Sequence, residues 1–388
     1  MRDAFAIAAP GLEPLVAAEL KALGAAGARA VAGGVEFRAD ELLLARANVE
    51  LRAASRVVVR ISRFKATAFH ELERAARRVL WGEFLRRGAT FTLRVTCRKS
   101  RLYHSDAVAE RIATAIAGAV PGSKHQEGAD AGDDSHEGAA DAQLFVIRFD
   151  RDECTVSADA SGDLLHRRGY RLAVAKAPLR ETLAAAMLLG ARYDPARPLA
   201  DPMCGSGTIA IEAALLARRI APGLHRTFAA ERWPVAAAAA WKEARAQATE
   251  RVLPGAQAPI IAADRDVGAI DASRANAARA GVADDIEFRV APLSSLEVPE
   301  GPGLLITNPP YGVRVGETKP LRDLFARFGQ VALTRCAGWD VALLSADRTL
   351  ERQTKLAFEE RFATTNGGIP VRLVVAAQSP RTRTRTRG

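Results

Sequence analysis

Asp201-Pro202-Met203-Cys204-Gly205-Ser206-Gly207-Thr208 is the stretch on which the fold turns. Apolar Pro198-Leu199-Ala200 precedes it, and Ile209 to Ile220 follows with apolar residues at helical spacing, so it reads as the turn from a buried strand into a helix. Lacking a Cβ, Gly205 and Gly207 let the backbone fold tightly and let a ligand approach, while the first N–H groups of the helix offer donors to a carboxylate or hydroxyl. That is a nucleotide-type binding turn. Alone it is ambiguous, because Gly205-Ser206-Gly207-Thr208-Ile209-Ala210 also satisfies the relaxed dinucleotide fingerprint and a purely structural turn fits the same residues.

Downstream, strands at Ala258 to Asp264, Ile286 to Val290, Leu304 to Thr307, Asp340 to Ser345 and Val371 to Val375 alternate with helices such as Val267 to Ala280. This predicts an α/β fold, a doubly wound parallel sheet with its ligand at the C-terminal ends of the strands. A dinucleotide enzyme would carry its ribose-binding acid about 20 residues after the glycines. Here Asp264 lies 57 residues after Gly207, which counts against a nicotinamide cofactor. The second signal is Leu304-Leu305-Ile306-Thr307 running into Asn308-Pro309-Pro310-Tyr311-Gly312. The pairing of the two turns resembles the class I methyltransferases that modify amino nitrogens with S-adenosylmethionine. A final hairpin, Arg361 to Thr364 and Val371 to Ala376 around Asn366-Gly367-Gly368, is similar to the one that sets those Rossmann-like enzymes apart from dehydrogenases.

The chain has 388 residues, enough for two or three domains, and its 48% hydrophobic and 26% charged residues are those of a soluble globular protein. It contains no apolar run of the roughly 18 residues that a membrane span needs, and its start lacks an export-signal pattern, so a cytoplasmic, membrane-free protein is expected. Cys97, Cys154, Cys204 and Cys336 are scattered without CxxC spacing or a histidine cluster, which predicts reduced thiols and no metal site. The net charge is +10, yet residues 123–142 hold six acids against Lys124 alone, leaving +15 for the remainder. An Arg-rich surplus suits a polyanion, since guanidinium forks match phosphate and release its counterions, although genome composition alone gives the same bias.

Residues 1–170 read as an α+β region: strand at 5–9, helix from Pro14 to Leu23, strand at 33–38, helix from Asp40 to Leu51, an alternating strand at 56–64, an amphipathic stretch from Phe69 to Trp81, a strand at 90–96 and a helix from Ser105 to Ala119. Arg98, Lys99 and Arg101, with Tyr103 and His104, occupy a loop after a strand, a chemistry suited to phosphates and stacked bases but equally that of a solvated loop. Pro10-Gly11-Leu12-Glu13, Gly34-Val35-Glu36-Phe37, Ala54-Ser55-Arg56-Val57, Arg94 to Ser100 and Leu102-Tyr103-His104 resemble the THUMP-containing half of RNA guanine methyltransferases. The resemblance implies that this half grips RNA through Arg98, Lys99, Arg101 and His104. Residues 121–143, rich in Gly, Ala and acids, are expected to be a disordered insertion, and the Arg381 to Arg387 repeat opens out as a basic tail at 379–388. The methyltransferase domain is expected over 171–378, with Phe228 to Val252 helical.

The resemblance covers residues 4 to about 377 apart from the insertion. It implies a cofactor site for S-adenosylmethionine built from Asp201, Pro202, Cys204, Gly205, Gly207, Thr208 and Asp264, with Thr182 at the start of a bordering apolar helix. Asp264 would accept hydrogen bonds from the ribose hydroxyls, with Asp266 as the second candidate and helix capping as a structural role for Asp264. Pro292 stands where the family places an acid for the adenine amine, so adenine recognition is expected to be rerouted. An exocyclic amine is a poor nucleophile because its lone pair is conjugated into the ring. The Asn308 carboxamide oxygen and the Pro309 carbonyl would accept its N–H groups, Pro309 and Pro310 would stiffen the turn, and Tyr311 would stack on the extruded base. Leu165 to Arg171 and Ala177 to Glu181 favour the guanine-N2 group, with ribosomal RNA as the expected substrate. Transfer RNA, adenine N6 and a non-catalytic RNA-binding assembly factor are the alternatives, and a monomer is expected.

Overall fold

The computed structural model describes residues 1–126, 141–171, 179–311 and 318–377. Contacts divide the chain into two units: Met1–Ala8, Val16–Leu165 and Gly223–Gln247 in one, Ala9–Leu15, His166–Pro222 and Ala248–Gly388 in the other. Residues 223–247, inside the span expected for the methyltransferase domain, thus group with the first unit.

The first unit contains β1 (Arg2–Ile7), α1 (Glu13–Ala22, whose residues up to Leu15 group with the second unit), β2 (Arg29–Val31), β3 (Gly34–Ala39), α2 (Glu41–Glu50), β4 (Arg56–Lys65), α3 (Phe69–Ala76), β5 (Thr90–Arg98), α4 (Ser105–Ala119), β6 (Lys124–His125), β7 (Gln143–Asp150) and β8 (Glu153–Asp159). Among the described residues these strands form one eight-stranded sheet in the order β2-β3-β1-β4-β8-β7-β5-β6. The pairs are antiparallel except where β5 runs parallel to β6 and to β7. As its sequence predicts, α2 starts at Asp40, whose side chain accepts from the Leu43 N–H at 2.8 Å. Trp81, Phe91, Phe145 and Phe149 are fully buried, and the Trp81 indole N–H donates to the Ala76 carbonyl at 2.9 Å, so the largest core ring leaves no orphan donor.

Strands reach into both ends of the span expected as a disordered insertion, 121–143. Lys124–His125 pair with β5, and Gln143 opens β7 with a buried side chain that accepts from the Trp233 indole N–H at 2.8 Å. Residues 127–140, which hold most of its acids, and the basic tail lie outside the described residues.

The second unit supplies α5 (Glu181–Gly190), β9 (Leu199–Asp201) and α6 (Thr208–Ala217). The chain then makes α7 (Ala238–Glu250), whose first part belongs with the first unit. After it come β10 (Ile260–Asp264), α8 (Val267–Arg279), β11 (Ile286–Val290), β12 (Leu304–Thr307), α9 (Thr318–Thr334), β13 (Asp340–Ser345), α10 (Arg348–Gln353), β14 (Glu359–Asn366) and β15 (Ile369–Ala376). The expected single helix over Phe228 to Val252 is instead a short 3-10 turn at Ala229–Arg232 followed by α7. Pro234 is the cause: its ring disfavours a helical Trp233, which is extended at φ −63°, ψ 143°.

The second sheet has the order β11-β10-β9-β12-β13-β15-β14, with its first five strands parallel and β15 inserted antiparallel between β13 and β14. This is the Rossmann-like methyltransferase arrangement, hairpin included. A parallel sheet covered on both faces needs strands apolar on both sides. Accordingly β9 and β12 are buried at every position, and α5 is buried from Glu181 through Leu188. Among the described residues no helix is long and apolar enough to cross a membrane.

Candidate functional site

Neighbouring parallel strands bring the sequence-predicted residues of the second unit to one edge. Asp201 ends β9, Asp264 ends the adjacent β10, and Asn308 follows β12 on the other flank of β9. Asp264 is tied to the glycine turn: one of its carboxylate oxygens accepts from the Gly205 N–H at 3.0 Å and the other from the Asp266 N–H at 3.0 Å. Asp264 is therefore a half-buried acid held at a strand end. Capping of α8 falls to Asp266, which accepts from the Ala269 N–H at 3.0 Å. That division of labour favours Asp264 over Asp266 as the acid presented to a ligand.

The two glycines differ in what they permit. A Cβ on Gly205 (φ +52°) meets nothing within 4 Å, leaving open space above the turn. A Cβ on Gly207 (φ +81°) would lie 2.0 Å from the Ser273 Oγ on α8. Gly207 is thus needed for the packing of α6 on α8, whereas Gly205 leaves its backbone uncovered. Ser273 and Asn276, whose amide N–H donates to the Ser206 carbonyl at 3.0 Å, buttress the turn from α8. Sequence reading missed both, because a small residue and an amide on a helix carry no signal until α8 is laid against the turn.

Asp201 is buried, and burial, with the negative charge of nearby Asp264, pushes its carboxyl up to about 7 against a hydrogen bond from the Met203 N–H at 3.3 Å. A carboxyl in that state suits a cationic neighbour. Cys204 is also buried, and its thiol is pushed up by burial and by Asp201, which makes it a neutral wall. Thr208 opens α6, and its hydroxyl accepts from the Arg171 guanidinium at 2.9 Å. Accepting from Arg171 leaves that hydroxyl its own proton to donate. Pro202 is buried in the turn and Thr182 is buried in α5, the helix packed on α6. Bare backbone at Gly205, an acid aimed at the turn and a buried carboxyl near neutrality form a donor and acceptor set that fits a cationic amino-acid–nucleoside ligand. At the usual adenine-contact position, Pro292 is exposed and begins a 3-10 turn at Leu293–Ser295.

At the second motif Asn308 is half-buried, Pro309 buried, Pro310 exposed and Tyr311 half-buried. The Tyr311 hydroxyl donates to the Asn308 carboxamide oxygen and accepts from the Asn366 amide at 3.1 Å. Sequence reading gave Tyr311 an aromatic role only, and took Asn366 as part of a hairpin turn. Burial pushes the Tyr311 phenol up to about 12, so it keeps its proton.

In the first unit Arg98 ends β5, Lys99 adopts φ +48°, and Arg101, Tyr103 and His104 follow, all exposed. The loop is held to the β7–β8 turn: the Arg101 N–H donates to Asp152 at 2.7 Å and the Arg151 N–H to the Arg98 carbonyl at 3.1 Å. The Tyr103 and His104 rings lie 4.0 Å apart. The structure therefore gathers Arg98, Lys99, Arg101 and His104 on one shaped loop.

Comparison with known proteins agrees with this architecture. Residues 168–374 match the RMKL-like methyltransferase domain, residues 3–58 the RlmL ferredoxin-like domain and residues 66–127 the THUMP domain. Ribosomal RNA large subunit methyltransferase K/L of Syntrophotalea carbinolica is 36% identical over 95% of this chain, which spans about half of that relative's length (53%). The solved structure of a Listeria monocytogenes protein described as a predicted N6-adenine-specific DNA methylase matches with a TM-score of 0.85 at 32% identity, over 98% of this chain and 96% of that one. A solved methyltransferase named SMU.472, complexed with SAH, matches with a TM-score of 0.86 at 28% identity, over 98% and 99% of the two chains. With its ferredoxin-like and THUMP segments ahead of a Rossmann-like domain that uses S-adenosylmethionine, this chain belongs to the RMKL-like methyltransferase family.

Proposed function

We propose that the protein methylates the exocyclic N2 amine of a guanine in RNA, with large-subunit ribosomal RNA as the substrate. The observation that carries the reading is Asn308-Pro309 at the end of β12, beside the strand that bears the glycine turn. The cofactor supplies an electrophilic methyl group when bound. Asp201, Gly205 and Asp264 would hold it. The Asn308 oxygen and the Pro309 carbonyl would take the two N–H bonds of the amine, localising its lone pair and aiming it at the methyl carbon; the amine's proton leaves after transfer. Tyr311 would stack on the base. Incubation of unmodified ribosomal and transfer RNA with labelled cofactor, followed by nucleoside mass spectrometry, tests this. N2-methylguanosine in ribosomal RNA is expected. N6-methyladenosine would overturn the substrate while leaving the chemistry of the motif standing, and modified transfer RNA alone would overturn the choice of RNA.

The shifted Asp201 carboxyl makes cofactor affinity depend on pH. Its folded pKa, about 7, lies above the ordinary 3.8. The free protein therefore holds this proton more tightly than the unfolded chain does, and this group's contribution to stability falls as pH rises through that window. A cationic cofactor favours the ionised form and expels the proton. Affinity should rise between about pH 5.5 and 7, by at most about tenfold per unit for one proton, and then level off. Isothermal titration in buffers of different ionisation heat reads the released proton. An affinity flat across this range would remove Asp201 from the cofactor site.

The exposed Arg98 loop and the positive remainder of the chain support RNA binding by the first unit. For the double variant Arg98→Ala with Lys99→Ala, filter binding should show weaker RNA affinity and a shallower salt dependence, by about one to two phosphate contacts. Cofactor affinity should not move. An unchanged salt slope removes these residues from the interface.

A further inference from the structure

We propose that Asn366, on the terminal hairpin, is a positioning residue for the reaction: through the Tyr311 hydroxyl it fixes which end of the Asn308 carboxamide faces the substrate amine. The inference rests on the reading of Asn308 given above. A carboxamide is nearly symmetric in shape, and a half-turn about its last bond exchanges its acceptor oxygen for its donor NH2. Only the oxygen can take an N–H from a nucleobase amine. Something on the protein must therefore distinguish the two ends.

The hydroxyl of Tyr311 does this because it has one proton. The Asn366 amide donates to the Tyr311 oxygen at 3.1 Å, which fills one of its acceptor positions and leaves the phenolic proton for Asn308. That proton is donated to the Asn308 Oδ1. A carbonyl oxygen has two lone pairs, so one stays available to the substrate amine while the other is held by Tyr311. Turning the carboxamide would set its NH2 against an oxygen already receiving an N–H, and would strand the phenolic proton. With its phenol pushed up to about 12 by burial, Tyr311 remains a donor at any working pH.

Asn366 is itself well placed for such a role. It is 8% exposed and ends β14, opposite Ile369, where Gly367 (φ +56°) and Gly368 (φ +81°) turn the chain back into β15. Glycines accept those φ values readily, so the hairpin is tight and the amide at its base is held by two strands. An asparagine beside two glycines is a common turn residue, which explains why its sequence context conceals the contact.

The test compares single-turnover rates of full-length variants with labelled cofactor and RNA. A carboxylate at 366 cannot donate and instead competes for the phenolic proton, releasing the Asn308 amide to turn. Asn366→Asp is expected to slow the chemical step about tenfold or more with little change in the apparent KM for RNA, in cofactor affinity or in Tm. Asn366→Ser, which keeps a donor, should retain more activity than Asn366→Asp. In a Tyr311→Phe background Asn366→Asp should add nothing, because the intervening hydroxyl is gone. Wild-type rates for Asn366→Asp, or losses that multiply in the double variant, overturn the proposal. Should Asn366→Asp lower the Tm, Tyr311→Phe decides: it must slow the chemical step at unchanged KM, and a wild-type rate sinks the relay. If Asn308→Ala is inactive while Asn366→Asp is normal, only the relay fails. If Asn308→Ala is fully active, the reading of Asn308 fails with it.

Discussion

Replacing Asn308 with alanine is expected to lower the single-turnover rate by about 100-fold or more, the cost of deleting one preorganised hydrogen bond that strengthens as charge develops on the reacting nitrogen. The affinities for RNA and cofactor should change little, because the acceptor acts on the amine in the transition state and contributes little to ground-state binding. The structure sharpens this expectation. In the variant the Tyr311 hydroxyl loses its acceptor while keeping the Asn366 amide, so the aromatic ring stays supported from the hairpin. A rate loss accompanied by normal RNA binding identifies a group that touches the reacting atoms. Equal turnover of the variant and the wild type would falsify the role of Asn308.

Replacing Gly207 with valine is expected to abolish cofactor binding and to lower the Tm together, and the cause lies in packing. The new Cβ would sit 2.0 Å from the Ser273 Oγ and 3.0 Å from its Cβ, at a φ of +81° that a β-branched residue resists. Either α8 retreats or the turn opens, and both displace the Gly205 N–H from Asp264. The milder Gly207→Ala should be rescued in part by Ser273→Gly, which removes the two nearest atoms. Gly205→Ala is the contrast: its Cβ meets nothing within 4 Å, so only the left-handed backbone cost of about 1 to 2 kcal/mol falls on the fold, while cofactor affinity drops steeply. Calorimetry and isothermal titration on the same samples separate the two glycines. A Gly207→Val protein with normal Tm and normal affinity would refute the packing assignment.

The sequence by itself determined the fold class and the places of the two strand-end turns and of the acid that ends β10. These are local quantities. Alternation and helical spacing report which faces are buried, and glycine or Pro-Pro punctuation reports where the backbone must turn. The Asp40 cap, the Gly205–Gly207 turn and the terminal hairpin all follow from neighbours in the chain. What only the tertiary structure decided involves partners far apart in sequence. Gly207 answers to Ser273 across α6 and α8, and Asn366 reaches Tyr311 over 55 residues. The Thr208 hydroxyl accepts from Arg171, and residues 223–247 join the first unit although they lie between two strands of the second. Hydropathy patterns are blind to such pairings, because a buried amide or hydroxyl is tolerated only where another element supplies its hydrogen bond, and that element is known only once the chain has folded.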